Sequence, residues 1–176
     1  MSMKLHIGCG PIKLDGYINI DIEPSHNPDV CGNVLDLSYQ DVDVIYTCHM
    51  IEHLSVSDAQ AAFDCFYKWL KPNGILRIGV PSLELATQAY VNGNDMSFIY
   101  GRSFNGYYLY DTPCERFNFF MKEWEHKITY DFNQLHLMLL KVGFWKIKKA
   151  EANQTDIPNF NHDRFISESL YVEAIK

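Results

Sequence analysis

Three groups of residues in this chain have the types and spacing that chemistry requires. The first is Gly8-Cys9-Gly10, which follows the apolar Leu5 and Ile7, with Asp21 closing a second apolar run, Tyr17 to Ile20. Glycines lack a Cβ, so such a turn can be sharp and can let a ligand approach the backbone closely. An acid at the carboxyl end of a parallel strand typically holds ribose hydroxyls. Together these point to a nucleoside-containing cofactor. The second group is His49-Met50-Ile51-Glu52-His53, which has the H-x-x-E-H pattern of inverted zinc peptidases. The third is a lone histidine, His126, standing between an aromatic-rich stretch and the start of a helical pattern.

The first group also discriminates between cofactors. A dinucleotide site needs G-x-G-x-x-G opening a full helix whose N-terminus faces the pyrophosphate. Here Ile12 and Lys13 follow the second glycine, and Asp21 comes only thirteen positions after Gly8, where about 20 is usual. A normal crossover helix does not fit between Ile7 and Tyr17, since parallel crossovers usually take about a dozen residues or more. S-adenosylmethionine has no pyrophosphate and needs only the turn and the ribose acid, so it fits better than NAD. Cys9, inside the turn, reads as a small residue that fits, because no neighbouring positive charge would lower its pKa.

For the second group, a zinc reading would put His49 and His53 on one helical face, with Glu52 as base and Glu84, Glu115 or Glu123 as a third ligand. The motif directly follows a strand pattern, however, and Ser55 caps the helix behind it. Short motifs also arise by chance. The expectation is that no metal is needed. Two histidines are candidates for a general base, His126 and His49.

These residues have to be positioned by a regular frame. Val42 to Cys48 reads as a strand by its β-branched and aromatic content. Ser55 to Leu70 reads as a helix, with Ser55 and Asp58 as a capping box and Ala59, Ala62, Phe63, Phe66 and Leu70 on one face. Lys71-Pro72-Asn73-Gly74 ends it, and Ile75 to Val80 is the next strand. Val34 to Leu37 predicts a third strand with Asp36 near its end, after a loop over Ile22 to Asn33. Ser82 to Asn92 predicts a helix, as does Phe132 to Val142, the latter capped by Asp131 and ended by Gly143. Phe144 to Ala150 reads as an edge strand, Asn153 to Phe165 as loop, and Leu170 to Ile175 as the closing strand. Strands joined by short or helical connections mark a parallel α/β sheet.

At this point the chain resembles the class I S-adenosylmethionine-dependent methyltransferases, and is most similar to small predicted bacterial members. The matching pieces come in order: LHIGCGP, INIDI, VLDL, DVIYTCHMIEHL, LKPNGILRIGVP and HKITYDFNQLHLMLLKVGF. The resemblance implies a Rossmann-like, seven-stranded mixed sheet sandwiched by helices, with the last strand antiparallel. It implies that Gly8, Cys9 and Gly10 cradle the methionine part of the cofactor and that Asp21 holds the ribose. By the same carry-over Asp36 and Leu37 lie by the adenine, and Cys48 and His49 line the floor. Two positions depart from the family pattern: His6 stands where an acid is frequent, and Ile12 where a third glycine is usual.

A region after Pro81 lies outside this frame. From Phe98 to Trp124 the chain is crowded with aromatics, including Tyr100, Phe104, Tyr107, Tyr108, Tyr110, Phe117, Phe119 and Phe120. Long insertions of this kind are usually lids or binding loops, so 82–130 is expected to be a substrate lid, with Arg102 and Arg116 available to hold an anion. Packing as a satellite core or a dimer contact is the competing reading.

Bulk properties bound the rest. The 176 residues suit one domain. A net charge of −7 argues against a general nucleic-acid binder, which would normally show a basic patch. No apolar run is long enough for a membrane span, and no signal-peptide pattern opens the chain. Five cysteines, odd in number and without a C-x-x-C pair, read as free thiols in a reducing cytoplasm. The expectation is methyl transfer from S-adenosylmethionine to a small or medium polar acceptor, by O- or N-methylation, on a sugar-like or aromatic compound. A cofactor-binding scaffold without turnover is the alternative, and a zinc peptidase a more distant one.

Overall fold

The computed structural model describes residues 2–93 and 112–176, and the statements below concern these residues. Seven strands form one sheet: β1 (Lys4–Ile7), β2 (Ile18–Asp21), β3 (Val30–Cys31), β4 (Val42–Cys48), β5 (Leu70–Pro81), β6 (Lys146–Ala150) and β7 (Ser169–Ile175). Their order across the sheet is β3-β2-β1-β4-β5-β7-β6. The first five run parallel, and β7 is antiparallel to both β5 and β6. The order reverses direction between β1 and β4. In open α/β sheets ligands bind outside the carboxyl ends of the strands at such a switch point. The glycine turn after β1 and the histidine motif after β4 therefore meet at one edge.

The helices are α1 (Val56–Trp69), α2 (Leu83–Val91), α3 (Pro113–Lys122) and α4 (Phe132–Val142). The cap residues read from the sequence are in place. The Ser55 hydroxyl accepts the Asp58 amide and donates to the Asp58 carboxylate, Asp131 accepts the Gln134 amide at 2.8 Å, and Gly143 closes α4 in the left-handed region. α1 and α4 bury Ala59, Ala62, Phe63, Phe66, Leu135, Met138 and Leu139 against Leu5, Ile7, Ile45, Leu76, Ile78, Val172 and Ala174 of the sheet. The strand residues alternate, as they must when one face packs on helices.

The opposite sheet face carries a polar row. In register across it lie Asn19, His6, Tyr46, Arg77, Glu173 and Lys148. Over its centre, Ile157 and Phe160 of the segment before β7 and Leu14 of the β1–β2 link pack on Val44, Tyr46 and Cys48. Arg77 is fully buried there and is paired to Asp163, while its Nη1 donates to Glu173 at 3.3 Å. Further donations to the Glu151 and Gln154 carbonyls fasten this irregular segment to the sheet.

Two expectations change. Val34–Asp36 is a 3₁₀ turn, and the third strand is Val30–Cys31. The Asn33 side chain accepts the Leu35 amide at 3.0 Å, a local bond that competes with a sheet ladder. Val34 is still buried, and Leu35 and Leu37 pack on the core, so apolar character is satisfied without a strand. β5 also begins earlier than expected: Leu70 pairs with Val42 before a register shift brings Ile75 opposite Val44. Of the aromatic insertion, Phe98, Tyr100, Phe104, Tyr107, Tyr108 and Tyr110, with Arg102, lie outside the described residues. Phe120 of α3 packs with Ala86 and Ala89 of α2 in a small separate core, flanked by Phe117. No helix among the described residues is long and apolar enough to cross a membrane.

Candidate cofactor and acceptor site

β1 ends at Ile7 and the chain turns at once. Gly8 and Gly10 both sit in the left-handed region, at φ 69° and 57°, where a side chain is disfavoured. At Gly8 a Cβ would also meet the Met50 side chain at 2.5 Å, so the turn and the segment after β4 are packed directly on each other. The amides of Gly8 and Cys9 both donate to the Ile20 carbonyl, at 2.9 and 3.0 Å. Cys9 is completely buried, and burial, with Asp21 nearby, pushes its thiol upward. It is a packing residue, as its surroundings in the sequence suggested.

Asp21 closes the turn from the other strand. Its Oδ2 accepts the Gly10 amide at 2.7 Å, its Oδ1 accepts the Glu23 amide at 2.9 Å, and His26 Nδ1 lies 3.2 Å from Oδ1. Burial alone would raise this carboxyl, but the donors from Glu23, Gly10 and His26 outweigh it and hold its pKa below the ordinary value. A carboxylate offers about four lone-pair sites. Three are engaged, so one ribose hydroxyl can be added directly and a second only if His26 moves aside.

The short β1–β2 link is organised by Asn19, which sequence reasoning missed. Its Oδ1 accepts the Leu14 amide at 2.8 Å, and its Nδ2 lies within hydrogen-bond reach of the Leu14 and Tyr17 carbonyls and the Asp29 carboxylate. His6 Nδ1 also lies 3.1 Å from Oδ1. His6 stacks on Tyr46, and burial lowers its pKa to about 4, so a neutral ring fills the place where the family often has an acid. A buried polar residue inside an apolar strand was the available signal. Asp36, by contrast, is exposed on its 3₁₀ turn, with Leu37 half-buried beside it.

Cys48 ends β4, buried against Gly79 and Tyr171, and burial pushes its thiol up to about 11. His49 follows with φ 54°. Its Nε2 is 2.7 Å from the Ser169 hydroxyl and its Nδ1 is 3.6 Å from Glu52 Oε1. Burial lowers its pKa to about 3. Ile51–His53 is a single 3₁₀ turn, so His49 and His53 do not share a helical face in the manner of a zinc peptidase. Glu52 is fully buried, and neither carboxylate oxygen has a hydrogen-bond partner. Desolvation raises its pKa to about 8.

His126 reaches this same place from the far side of the chain. Lys127 and Ile128 donate their amides to the Glu52 carbonyl, at 2.8 and 3.3 Å, and the His126 ring meets His53 edge-on at 5.1 Å. The His126 Nδ1–H donates to the Phe120 carbonyl at 3.0 Å. That fixes the tautomer and leaves the lone pair on Nε2. The structure thus brings His49 and His126, the two histidines singled out in the sequence, together around Glu52.

This sheet order, with a glycine turn tied to an acid at the end of the next strand, is the fold of the class I S-adenosylmethionine-dependent methyltransferases. Residues 5–78, which hold the turn, Asp21 and the histidine motif, match the methyltransferase domain family. S-adenosylmethionine is the cofactor of this enzyme class. A search of the curated proteins returns no match. Among solved structures, an Archaeoglobus fulgidus SAM-dependent methyltransferase superposes with a TM-score of 0.60 at 15% identity, covering 99% of this chain and 86% of that one. A Mesorhizobium loti S-adenosylmethionine-dependent methyltransferase gives 0.59 at 13% identity, covering 99% and 90%. Phosphoethanolamine N-methyltransferase 2 of Haemonchus contortus, in complex with S-adenosyl-L-methionine, gives 0.60 at 12% identity. There the chain is covered to 99% but spans only 48% of the relative.

Proposed function

We propose that this chain is an S-adenosylmethionine-dependent methyltransferase acting on a small or medium polar acceptor, with O- or N-methylation as the reaction. The observation that carries the reading is the adjacency of two devices. The Gly8–Gly10 turn, pinned by Asp21, packs through Met50 on a segment bearing His49, Glu52 and His53, against which His126 is held. The first device suits the cofactor and the second suits an acceptor with a proton to lose. In the reaction an acceptor lone pair forms a bond to the methyl carbon and the sulfur–carbon bond breaks. Its electrons stay on sulfur, giving the neutral thioether S-adenosylhomocysteine, and the acceptor proton passes to His126 Nε2 and on to solvent.

In this reading Gly8, Cys9, Gly10 and Asp21 bind the methionine and ribose parts of the cofactor, Asp36 and Leu37 lie near adenine, and Cys48 and His49 form the floor. Alignment of the acceptor behind the methyl carbon supplies most of the rate, as positioning can. Acceptor activation centres on His126, whose Nε2 lone pair is free of backbone bonding, and His49 stands behind it. The segment 82–130 serves as the acceptor lid. One fold serves many different functions, so the acceptor has to come from the site and not the fold.

The test is a turnover assay that follows S-adenosylhomocysteine against a panel of sugars, nucleotides, phenols and amines. Turnover on one class is expected, and His126→Ala should lower it by about 10²- to 10⁴-fold with cofactor affinity unchanged. Cofactor binding without turnover on any class would favour a scaffolding role. Tighter binding of NAD than of S-adenosylmethionine would defeat the reading altogether.

A further inference from the structure

We propose that Glu52, His53 and His126 form a divalent transition-metal site with an open coordination position on the acceptor side. One ligand atom from each residue lies within 4.8 Å of the other two. Glu52 Oε1 is 3.9 Å from His53 Nε2. A metal ion bound at about 2.0–2.2 Å from each ligand would draw these atoms in by side-chain rotation, without moving an element.

Four further observations support a ligand set over a packing arrangement. Glu52 is wholly inside the protein, yet neither of its oxygens has a hydrogen-bond partner. A buried carboxylate left so is costly, and a cation at this point would satisfy it. His126 is tethered through Nδ1 to a backbone carbonyl. Backbone tethers of this kind are what orients metal-binding imidazoles. The backbone around the cluster is held out of its ordinary conformations, with His49, Trp124 and Glu125 all at positive φ. Such strain collects at functional sites. Finally, the amides of Lys127 and Ile128 bridge to the Glu52 carbonyl, so the two parts of the site, remote in sequence, are fixed to each other by main chain.

Two imidazoles and one carboxylate suit zinc, iron, cobalt or manganese rather than calcium or magnesium. Three protein ligands leave a position open, as catalytic metal sites do. That position would take the acceptor oxygen or nitrogen, and because the ion would occupy the Nε2 lone pair, His126 would no longer take the acceptor proton itself. His126 would activate the acceptor through the metal it holds. His49 lies outside the ligand set, with its Nδ1 3.6 Å from Glu52 Oε1. The inference rests on the proposed function only for what the open position receives. The metal site itself stands or falls without turnover.

The test uses the full chain, stripped with a chelator and dialysed, and titrated with zinc by calorimetry and with cobalt by visible absorption. One ion per chain is expected, with a cobalt spectrum free of thiolate charge-transfer bands. Glu52→Gln keeps side-chain volume and should weaken zinc binding by about 100-fold or more, as should His126→Ala and His53→Ala. His49→Ala should keep stoichiometric zinc. Circular dichroism on each variant identifies any that fail to fold, and the isosteric Glu52→Gln variant then decides. Substoichiometric zinc, thiolate bands, or unchanged affinity in Glu52→Gln would overturn the site. S-adenosylmethionine affinity, measured separately with and without zinc, shows whether the cofactor assignment holds in each case.

Discussion

At the scale of single residues, Asp21 carries two burdens. Its carboxylate holds the Gly10 and Glu23 amides and, in the proposed function, a ribose hydroxyl. Asp21→Ala should therefore weaken S-adenosylmethionine by about 1.5 to 3 kcal/mol, the usual worth of a hydrogen bond to a charged group, and should also lower stability by loosening the turn. Calorimetry paired with thermal unfolding measures both. Unchanged cofactor affinity would remove Asp21 from the site. The pH dependence follows from the lowered pKa. A carboxyl depressed in the folded state stabilises fully above the unfolded value of about 4, and that contribution is lost as pH falls through the folded value. Unfolding of the native chain should show an acid-side loss of stability that is smaller in Asp21→Asn.

At the scale of elements, the β1–β2 link does without a crossover helix because Asn19 supplies its hydrogen bonds from beneath. Asn19 is 3% exposed and serves both the Leu14 amide and the carbonyls of Leu14 and Tyr17. Asn19→Ala removes the partner of the Leu14 amide and of the Tyr17 carbonyl, while the Leu14 carbonyl keeps the Tyr17 amide. It should cost about 2 to 6 kcal/mol, two groups at about 1–3 kcal/mol each. Because the link leads out of the glycine turn, cofactor affinity should fall with it. Chemical denaturation with an unchanged m-value would register the loss, and a midpoint equal to the native one would mean that water replaces the amide. Elsewhere the elements are locally determined: Ser55, Asp131 and Gly143 bound their helices in the structure as in the sequence.

At the scale of the whole molecule, Arg77 links both halves of the chain. It sits on β5 with no solvent exposure, bonded to Asp163 in the segment before β7, to Glu173 on β7, and to the Glu151 and Gln154 carbonyls. Truncating one partner of a buried ion pair leaves the other charges unpaired and costs about 3–5 kcal/mol. Arg77→Ala should destabilise by about that much and, if folded, should expose the 151–163 segment to protease. A triple replacement of Arg77, Asp163 and Glu173 by apolar residues of similar volume should recover much of the loss, as buried pairs replaced together often do. Failure to recover would mean that the triad also fixes the path of the segment.

The sequence by itself determined the frame. The β-branched run Val42–Cys48, the capped amphipathic helices Val56–Trp69 and Phe132–Val142, and the glycine turn are short-range features whose physics is complete within a dozen residues. It also singled out Gly8, Gly10, Asp21, His49, Glu52, His53 and His126, since their side chains are costly to place without purpose. Only the tertiary structure decided what these residues do to one another. Whether Val34–Leu37 is a strand depended on the competing bond from Asn33. Whether His49-x-x-Glu52-His53 is a peptidase motif depended on its being a 3₁₀ turn rather than a helix. The partner of Glu52 and His53 lies more than seventy residues further on, and the amides of Lys127 and Ile128 on the Glu52 carbonyl help bring His126 there. Contacts of that range depend on where the sheet places its strand ends, and no local pattern of residue types encodes them.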